Sequence, residues 1–194
     1  MTPWAATGTL ARVTAAEGPV PVLRFREMRL GDLGLVTEWL DRPHVARWYL
    51  AGSSVGRETA ELRESIVGTG AVHALIVAEM DRPVGWCQWY RCGDDPEWAF
   101  EVGAEPGDVG IDYAIGEPHR IGRGVGTALV AGVVRIIRRQ RPSVGVVATP
   151  DGRNIASRRV LEKNGFQLLG VRALSSEPTD DDMAIYRLPP PAGP

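Results

Sequence analysis

Lysine is almost missing from this chain: Lys163 stands alone against 21 arginines. The arginines are scattered along most of the length, so the bias reads as genomic composition rather than as a functional device. Cysteine is nearly as scarce. Cys87 and Cys92 allow one bridge at most, a poor framework for 194 residues, and their spacing without nearby ligands is no zinc pattern. Both are expected as reduced thiols in or near a strand, and no metal site is expected. No apolar run approaches the roughly eighteen residues of a membrane span. The first residues hold an isolated Arg12 but no basic stretch leading into an apolar core, which argues against a secretory signal. A formal net charge of -2 lacks the basic excess of a dedicated nucleic-acid binder. What remains is a cytoplasmic enzyme or binding domain, with neither membrane nor nucleic acid as partner.

Of the residues present, 44% are hydrophobic and 24% charged, enough for one ordinary domain to bury a core without disulfides or metals. Residues 1–21 show no apolar periodicity, and 189–194 read Pro-Pro-Pro-Ala-Gly-Pro. Seven of the fifteen prolines fall in these two stretches, which are expected as poorly ordered extensions around a single domain at 22–188. Within it, alternation predicts strands at 22–26, 72–80, 84–90, 109–115, 143–149, 166–171 and 183–188. Helical spacing predicts a helix capped by Asp32 that presents Leu35, Val36, Trp39 and Leu40, a polar helix at 57–67, and helices after residue 124 and over 154–163. Strands form a meander first and alternate with helices later, which predicts an α+β fold with a mixed sheet.

The most informative segment is Gly122-Arg123-Gly124-Val125-Gly126-Thr127, set between a strand and a helix. Glycines let backbone N–H groups converge on an anion, and the helix N-terminus adds a favourable partial charge. No lysine precedes Thr127, so it is not a Walker loop; GxGxG after a meander is not the dinucleotide fingerprint either. Close helix–sheet packing is the plainer explanation, but three alternating glycines exceed what packing needs. The pattern resembles the acetyl-CoA loop of the GNAT N-acetyltransferases, Gln/Arg-x-x-Gly-x-Gly/Ala, with Ile121 departing at the first position. The run from Asn154 to Phe166 resembles the second GNAT signature. The resemblance implies a mostly antiparallel GNAT sheet flanked by helices, with acetyl-CoA as co-substrate. The coenzyme would pair beside Ala114 and Ile115 where strands splay, rest on Gly122 to Thr127, and meet Asn154 along its pantetheine arm. Asn154 also reads as a simple N-cap.

Charge is segregated along the chain. From Cys92 to His119 there are eight acids and no Lys or Arg; from Arg120 to Arg141 there are six arginines and no acid. The second block suits a phosphate-bearing donor and the first a polycationic acceptor, although both also read as solvated faces. Asp112 stands apart because it lies in an apolar strand, where an unpaired carboxylate is costly. Gly110-Ile111-Asp112 resembles the Gly-Ile-Asp element of the aminoglycoside 6'-N-acetyltransferases, as do Glu38-Trp39-Leu40, Arg47-Trp48 and Pro83 to Gln88. That resemblance implies that Asp112 lies at the acceptor amine beside the thioester; burial and neighbouring carboxylates would raise its pKa, so it is expected to bind the ammonium and accept its proton. The resemblance also places Trp48 and Tyr49 along a drug cleft, and Gln88, Trp98 and Glu101 among the acceptor's contacts, with Asp151 standing in for a family acid that falls at Thr149. Trp48 and Trp98 also read as core aromatics. The usual tyrosine acid of many GNAT enzymes falls at Leu161, leaving Tyr113 or Tyr49 as substitutes. Three further functions fit the same residues: acetylation of ribosomal-protein N-termini, acylation of a hydroxylysine siderophore precursor, and a non-catalytic acyl-CoA- or drug-binding domain. The chain is expected to act as a monomer or homodimer.

Overall fold

The computed structural model describes residues 21–68, 72–177, 179 and 181–191. The extensions expected at 1–21 and 189–194 therefore lie outside the described residues, except for 21 and 189–191. Strands β1 (Leu23–Glu27), β2 (Val72–Glu79), β3 (Arg82–Arg91) and β4 (Val109–Ile115) form an antiparallel meander. Strands β5 (Val146–Ala148), β6 (Gln167–Arg172) and β7 (Met183–Leu188) extend it into one seven-stranded sheet ordered β1-β2-β3-β4-β5-β7-β6. Among the described residues, only the β4–β5 pairing is parallel.

Helices α1 (Leu33–Asp41), α2 (Pro43–Tyr49), α3 (Val55–Val67) and α4 (Pro96–Glu101) precede the parallel junction in sequence; α5 (Val125–Gln140) and α6 (Ile155–Lys163) follow β4 and β5. Strand alternation divides the core between the two faces. Leu75, Cys87, Trp89 and Ile111 pack with Leu129, Val133 and Ile137 of α5 and Leu161 of α6. Ile76, Trp86 and Ala114 pack with Val36, Trp39 and Leu40 of α1 and Leu62 of α3. Cys87 and Cys92 are buried free thiols, and burial pushes both thiol pKa values up.

Three local expectations shift. The β2–β3 turn lies at Met80 and Asp81, both with left-handed φ (45° and 66°), rather than at 81–83. Such a pair matches the right-handed strand twist, and Pro83 is tolerated because β4 ends opposite Gly85, leaving no partner for the missing N–H. Asp32 does not cap α1. Its carboxylate accepts from both terminal nitrogens of Arg26 (2.6 and 2.7 Å) and from Arg29 N (2.8 Å), closing the turn before the helix. The acidic loop contains α4, started by Asp95, which accepts from Trp98 N (3.0 Å), and by Pro96 at its first position.

The feature that shapes the site is a parting of strands. β4 and β5 pair only at Val109↔Val146 and Gly110↔Val147; beyond Gly110, β4 continues to Ile115 against β3 alone. The junction below the parting is fixed by Asp108, which is 2% exposed. It accepts from Gly145 N (2.9 Å), Glu105 N (3.0 Å) and Arg187 Nε (2.7 Å), tying together the segments before β4, before β5 and within β7.

Candidate active site

Register builds the centre of the site. On β3 and β4, Gln88 lies opposite Asp112 and Tyr90 opposite Gly110, so all four share one face. A Cβ on Gly110 would sit 2.4 Å from the Tyr90 ring; glycine is what lets that ring lie across β4. Gln88 Nε2 donates to Asp112 Oδ2 (2.9 Å), and the Tyr90 hydroxyl, a second donor on the same face, helps favour the charged carboxylate. Burial pushes Asp112 up to about 6, the charge of Glu177 adds to the rise, and the two donors oppose it. The half-buried carboxyl opens on the cavity, and the protein atoms packed around it leave its charged form poorly solvated.

The cavity above it has a volume of about 300 Å³. It runs through the parting, so residues of both sheet faces reach it: Asp112 from one and Tyr113 from the other, with Thr149 to Asp151 on the far wall. Glu58, Glu61, Asp112, Asp151 and Glu177 all line it, and among the described residues no Lys, Arg or His does. Burial raises the pKa of Glu58 and of Glu177 above the ordinary carboxylate range. The hydroxyls of Tyr49, Tyr90 and Tyr113 are also held protonated, chiefly by burial.

Of the residues singled out in the sequence, Trp48, Tyr49, Gln88, Asp112, Asp151 and Asn154 meet at this cavity. Tyr49 leans on Trp86 (centroids 5.3 Å apart), and Trp48 carries the Arg47 guanidinium over its ring at 4.2 Å. Asp151 is engaged by Arg153 through its backbone N (2.7 Å), Nε (3.0 Å) and Nη2 (2.6 Å), which holds its pKa down. Trp98 and Glu101 stand outside. Trp98 is 6% exposed and packs with Cys92, Val102 and Ile185, as its reading as a core aromatic expects. Glu101 binds Ser175 and Ser176.

The acidic block, expected to face a cationic acceptor, needs correction. Asp94 pairs with Arg91, Asp95 caps α4, Glu105 and Asp108 hold Arg187, and Glu117 pairs with Arg42; of the eight acids only Asp112 reaches the cavity. The cavity's acidity is instead collected from α3 and from the segment before β7. Glu58, Tyr90, Ser157 and Glu177 were missed in the sequence. Tyr90 had a signal: it is two residues from Gln88 and therefore shares its face.

On the other side of β4, Gly122 and Gly124 take left-handed φ (73° and 77°), and α5 starts at Val125 without a side-chain cap. The first amides of this sixteen-residue helix are thereby left without a side-chain cap, an arrangement chemically suited to an anion. A Cβ on Gly126 would lie 3.1 Å from Val160, so packing explains that glycine while backbone conformation explains the other two. Arg123 Nε donates to His119 O (3.0 Å) within the loop. Ala114 and Ile115 continue β4 beyond the parting. Asn154 caps α6 by accepting from Ser157 N (3.1 Å), and its amide nitrogen remains a donor at the cavity wall. Tyr113 OH lies 2.7 Å from Ser157 Oγ, whereas Leu161 is fully buried.

The Acetyltransferase (GNAT) domain family matches residues 29–174. The chain belongs to the GNAT acetyltransferases. Acetyl-CoA is the co-substrate of GNAT enzymes, and this one keeps the split sheet and glycine loop described above. Aminoglycoside N(6')-acetyltransferase type 1 of Klebsiella pneumoniae is 29% identical to it over 168 residues, covering 84% of this chain and 80% of that protein. Lysine N-acyltransferase MbtK of Mycobacterium tuberculosis is 29% identical over 181 residues, covering 91% and 83%. The crystal structure of aminoglycoside acetyltransferase AAC(6')-Ib in complex with coenzyme A and kanamycin superposes with a TM-score of 0.73 at 26% identity, covering 87% of this GNAT chain and 95% of that one. Among the described residues, no helix of the GNAT enzyme is long and apolar enough to cross a membrane, and no His, Cys, Asp or Glu group is arranged to hold a metal ion.

Proposed function

We propose that this GNAT enzyme moves acetyl from acetyl-CoA to the 6'-amine of an aminoglycoside, a reaction that confers resistance. One observation carries the reading: a cavity that opens beside the parted β4 edge is lined by Glu58, Asp112 and Glu177, none of which has an arginine partner among the described residues, and by Asp151 and Glu61, which pair with Arg153 and Arg57. Clustered carboxylates attract a multiply charged amine and disfavour anions. The relatives that act on aminoglycosides support the same substrate class. The equal identity to MbtK supports a lysine acceptor as the second reading, but one ammonium leaves two of the three carboxylates that lack an arginine without a partner.

In this reading Gly122 to Thr127 and the start of α5 hold the pyrophosphate, Asn154 meets the pantetheine arm, and the thioester lies along β4 near Ala114 and Ile115. Asp112, with a pKa of about 6, is mostly ionised at neutral pH and binds the 6'-ammonium. It takes one proton, and the freed amine attacks the thioester carbonyl. A C–N bond forms, the tetrahedral oxyanion collapses and the C–S bond breaks. Backbone N–H groups on the unpaired edge of β4 face the developing oxyanion, an interaction worth roughly 3 kcal/mol. Holding both reactants in one cavity contributes about 7–11 kcal/mol in favourable cases, so positioning outweighs any single group. Tyr113, braced by Ser157, gives its proton to the leaving thiolate and recovers the second proton shed by the nitrogen as the C–S bond breaks, while the proton on Asp112 passes to water.

A substrate panel tests the proposal: kanamycin, tobramycin, a ribosomal N-terminal peptide and hydroxylysine, each read by thiol release from acetyl-CoA. Turnover of the two drugs with a product acetylated at the 6' position is the expected result; faster turnover of peptide or hydroxylysine refutes the assignment. Tyr113→Phe is expected to lower kcat about tenfold while both KM values hold, checked by steady-state kinetics. An unchanged kcat removes Tyr113 as the proton donor.

A further inference from the structure

Glu101 closes α4, outside the acceptor cavity, yet its carboxylate is saturated with donors. Oε1 accepts from Ser175 N (2.9 Å) and Ser175 Oγ (2.5 Å); Oε2 accepts from Ser176 N (3.0 Å) and Ser176 Oγ (2.5 Å). These four bonds hold Glu101 at about 2, ionised at any working pH. The next residue, Glu177, receives the Trp98 indole N–H on Oε1 (3.1 Å) and lines the cavity. Two side chains one helical turn apart thus grip three consecutive residues. The far end of the segment is tied separately, by Gly152 N to Asp182 O (2.7 Å) and by Arg153 bridging Asp151 and Asp181.

We propose that Glu101 and Trp98 act as a clamp that positions Glu177 as an acceptor-binding carboxylate, so that Glu101 sets acceptor affinity without touching the acceptor. The proposal rests on reading this cavity as the acceptor site. A glutamate on an irregular segment loses rotamer freedom when it binds an ammonium; a clamp removes that loss before the acceptor arrives. Glu101 itself is a positioning residue, because both its oxygens are occupied. It also explains why an acid at this position is useful although it faces away from the cavity: four convergent donors call for a charged acceptor.

The test is steady-state kinetics with kanamycin and acetyl-CoA on the wild type, Glu101→Gln, Glu177→Gln and the double variant. In Glu101→Gln an amide NH₂ faces two of the four donors. The KM for kanamycin is expected to rise about tenfold while the KM for acetyl-CoA stays within about twofold. Glu177→Gln is expected to show the same split. The double variant should stay within about twofold of Glu177→Gln, because the clamp then has no charge left to place. Effects that multiply to roughly a hundredfold, or a Glu101→Gln change that raises both KM values alike, overturn the clamp. If Glu101→Gln does not fold, the Ser175→Ala/Ser176→Ala variant removes two donors and leaves the acid in place; its expected shift is smaller and in the same direction, and an unchanged kanamycin KM overturns the clamp. A wild type that ignores kanamycin defeats the acceptor reading itself, whereas normal wild-type turnover with multiplying effects defeats the clamp alone.

Discussion

Asp112→Asn is expected to lower kcat/KM for an aminoglycoside about a thousandfold while leaving acetyl-CoA affinity intact and making the protein more stable at neutral pH. The activity loss follows because Asn neither holds the ammonium charge nor accepts its proton. The stability gain follows from the same burial that suits Asp112 to the task. An unfolded aspartate titrates near pH ~3.9, whereas in the folded protein burial pushes Asp112 up to about 6. Between those values the folded state binds more protons than the unfolded one, so stability falls as pH rises through the window and is level above it. Full separation of the two pKa values corresponds to about 3 kcal/mol; water reaching the cavity reduces this to roughly 1–2 kcal/mol. Asn should therefore melt about 2–8 °C higher at pH 8, with the difference vanishing below pH ~4. In the wild type, kcat/KM should fall as pH drops through about 6. Thermal melts at several pH values, coenzyme binding and a pH–rate profile check all three. Near-normal turnover in Asp112→Asn, or a stability gain that ignores pH, contradicts the base assignment.

Gly116→Ala is expected to destabilise the protein by about 3 kcal/mol, lowering the melting temperature by roughly 6–12 °C. A Cβ there would lie 2.2 Å from the Trp39 ring. Trp39 has nowhere to retreat: it is fully buried, stacks on Trp86 with centroids 6.2 Å apart, and donates from Nε1 to Glu117 (2.9 Å). Gly116 also donates to Val84 O (2.9 Å) and accepts from Arg42 (2.8 Å), so relief by backbone movement breaks bonds at the end of β4. Because that end carries Ala114 and Ile115, the acetyl-CoA KM should rise in whatever fraction folds. Gly122→Ala is the control: its φ of 73° is strained for alanine, but no atom lies within 4 Å, so it should cost only about 1–2 kcal/mol. Calorimetry on both variants decides the matter; equal melting temperatures would show that Trp39 yields.

Much of this molecule is local and was therefore legible. β4 was readable from Val109 to Ile115 because apolar residues fill a strand bounded by turn residues, and α6 because Asn154 caps it and Asn164-Gly165 stop it. The glycine run before α5 carries its conformational reason in its own residues: two of the three take left-handed φ. α4 was missed, although Asp95-Pro96 signals a helix start, because six residues are too few for a periodicity to show.

The acids mark the limit. Counting charge along the chain made the stretch from Cys92 to His119 the acidic face, yet it holds Arg42, Arg91 and Arg187 and starts α4, and its one cavity acid is Asp112. Glu58 and Glu177 lie more than a hundred residues apart in sequence, and Glu101 shares its stretch with Asp112 while facing another segment. Sequence determined most of the strands, the starts of α5 and α6, the glycine loop and the place of Asp112 on β4, since each depends on neighbours within a few positions. Tertiary structure alone decided which carboxylates converge and where β4 and β5 part, because Coulomb and desolvation energies follow distance through space rather than separation along the chain.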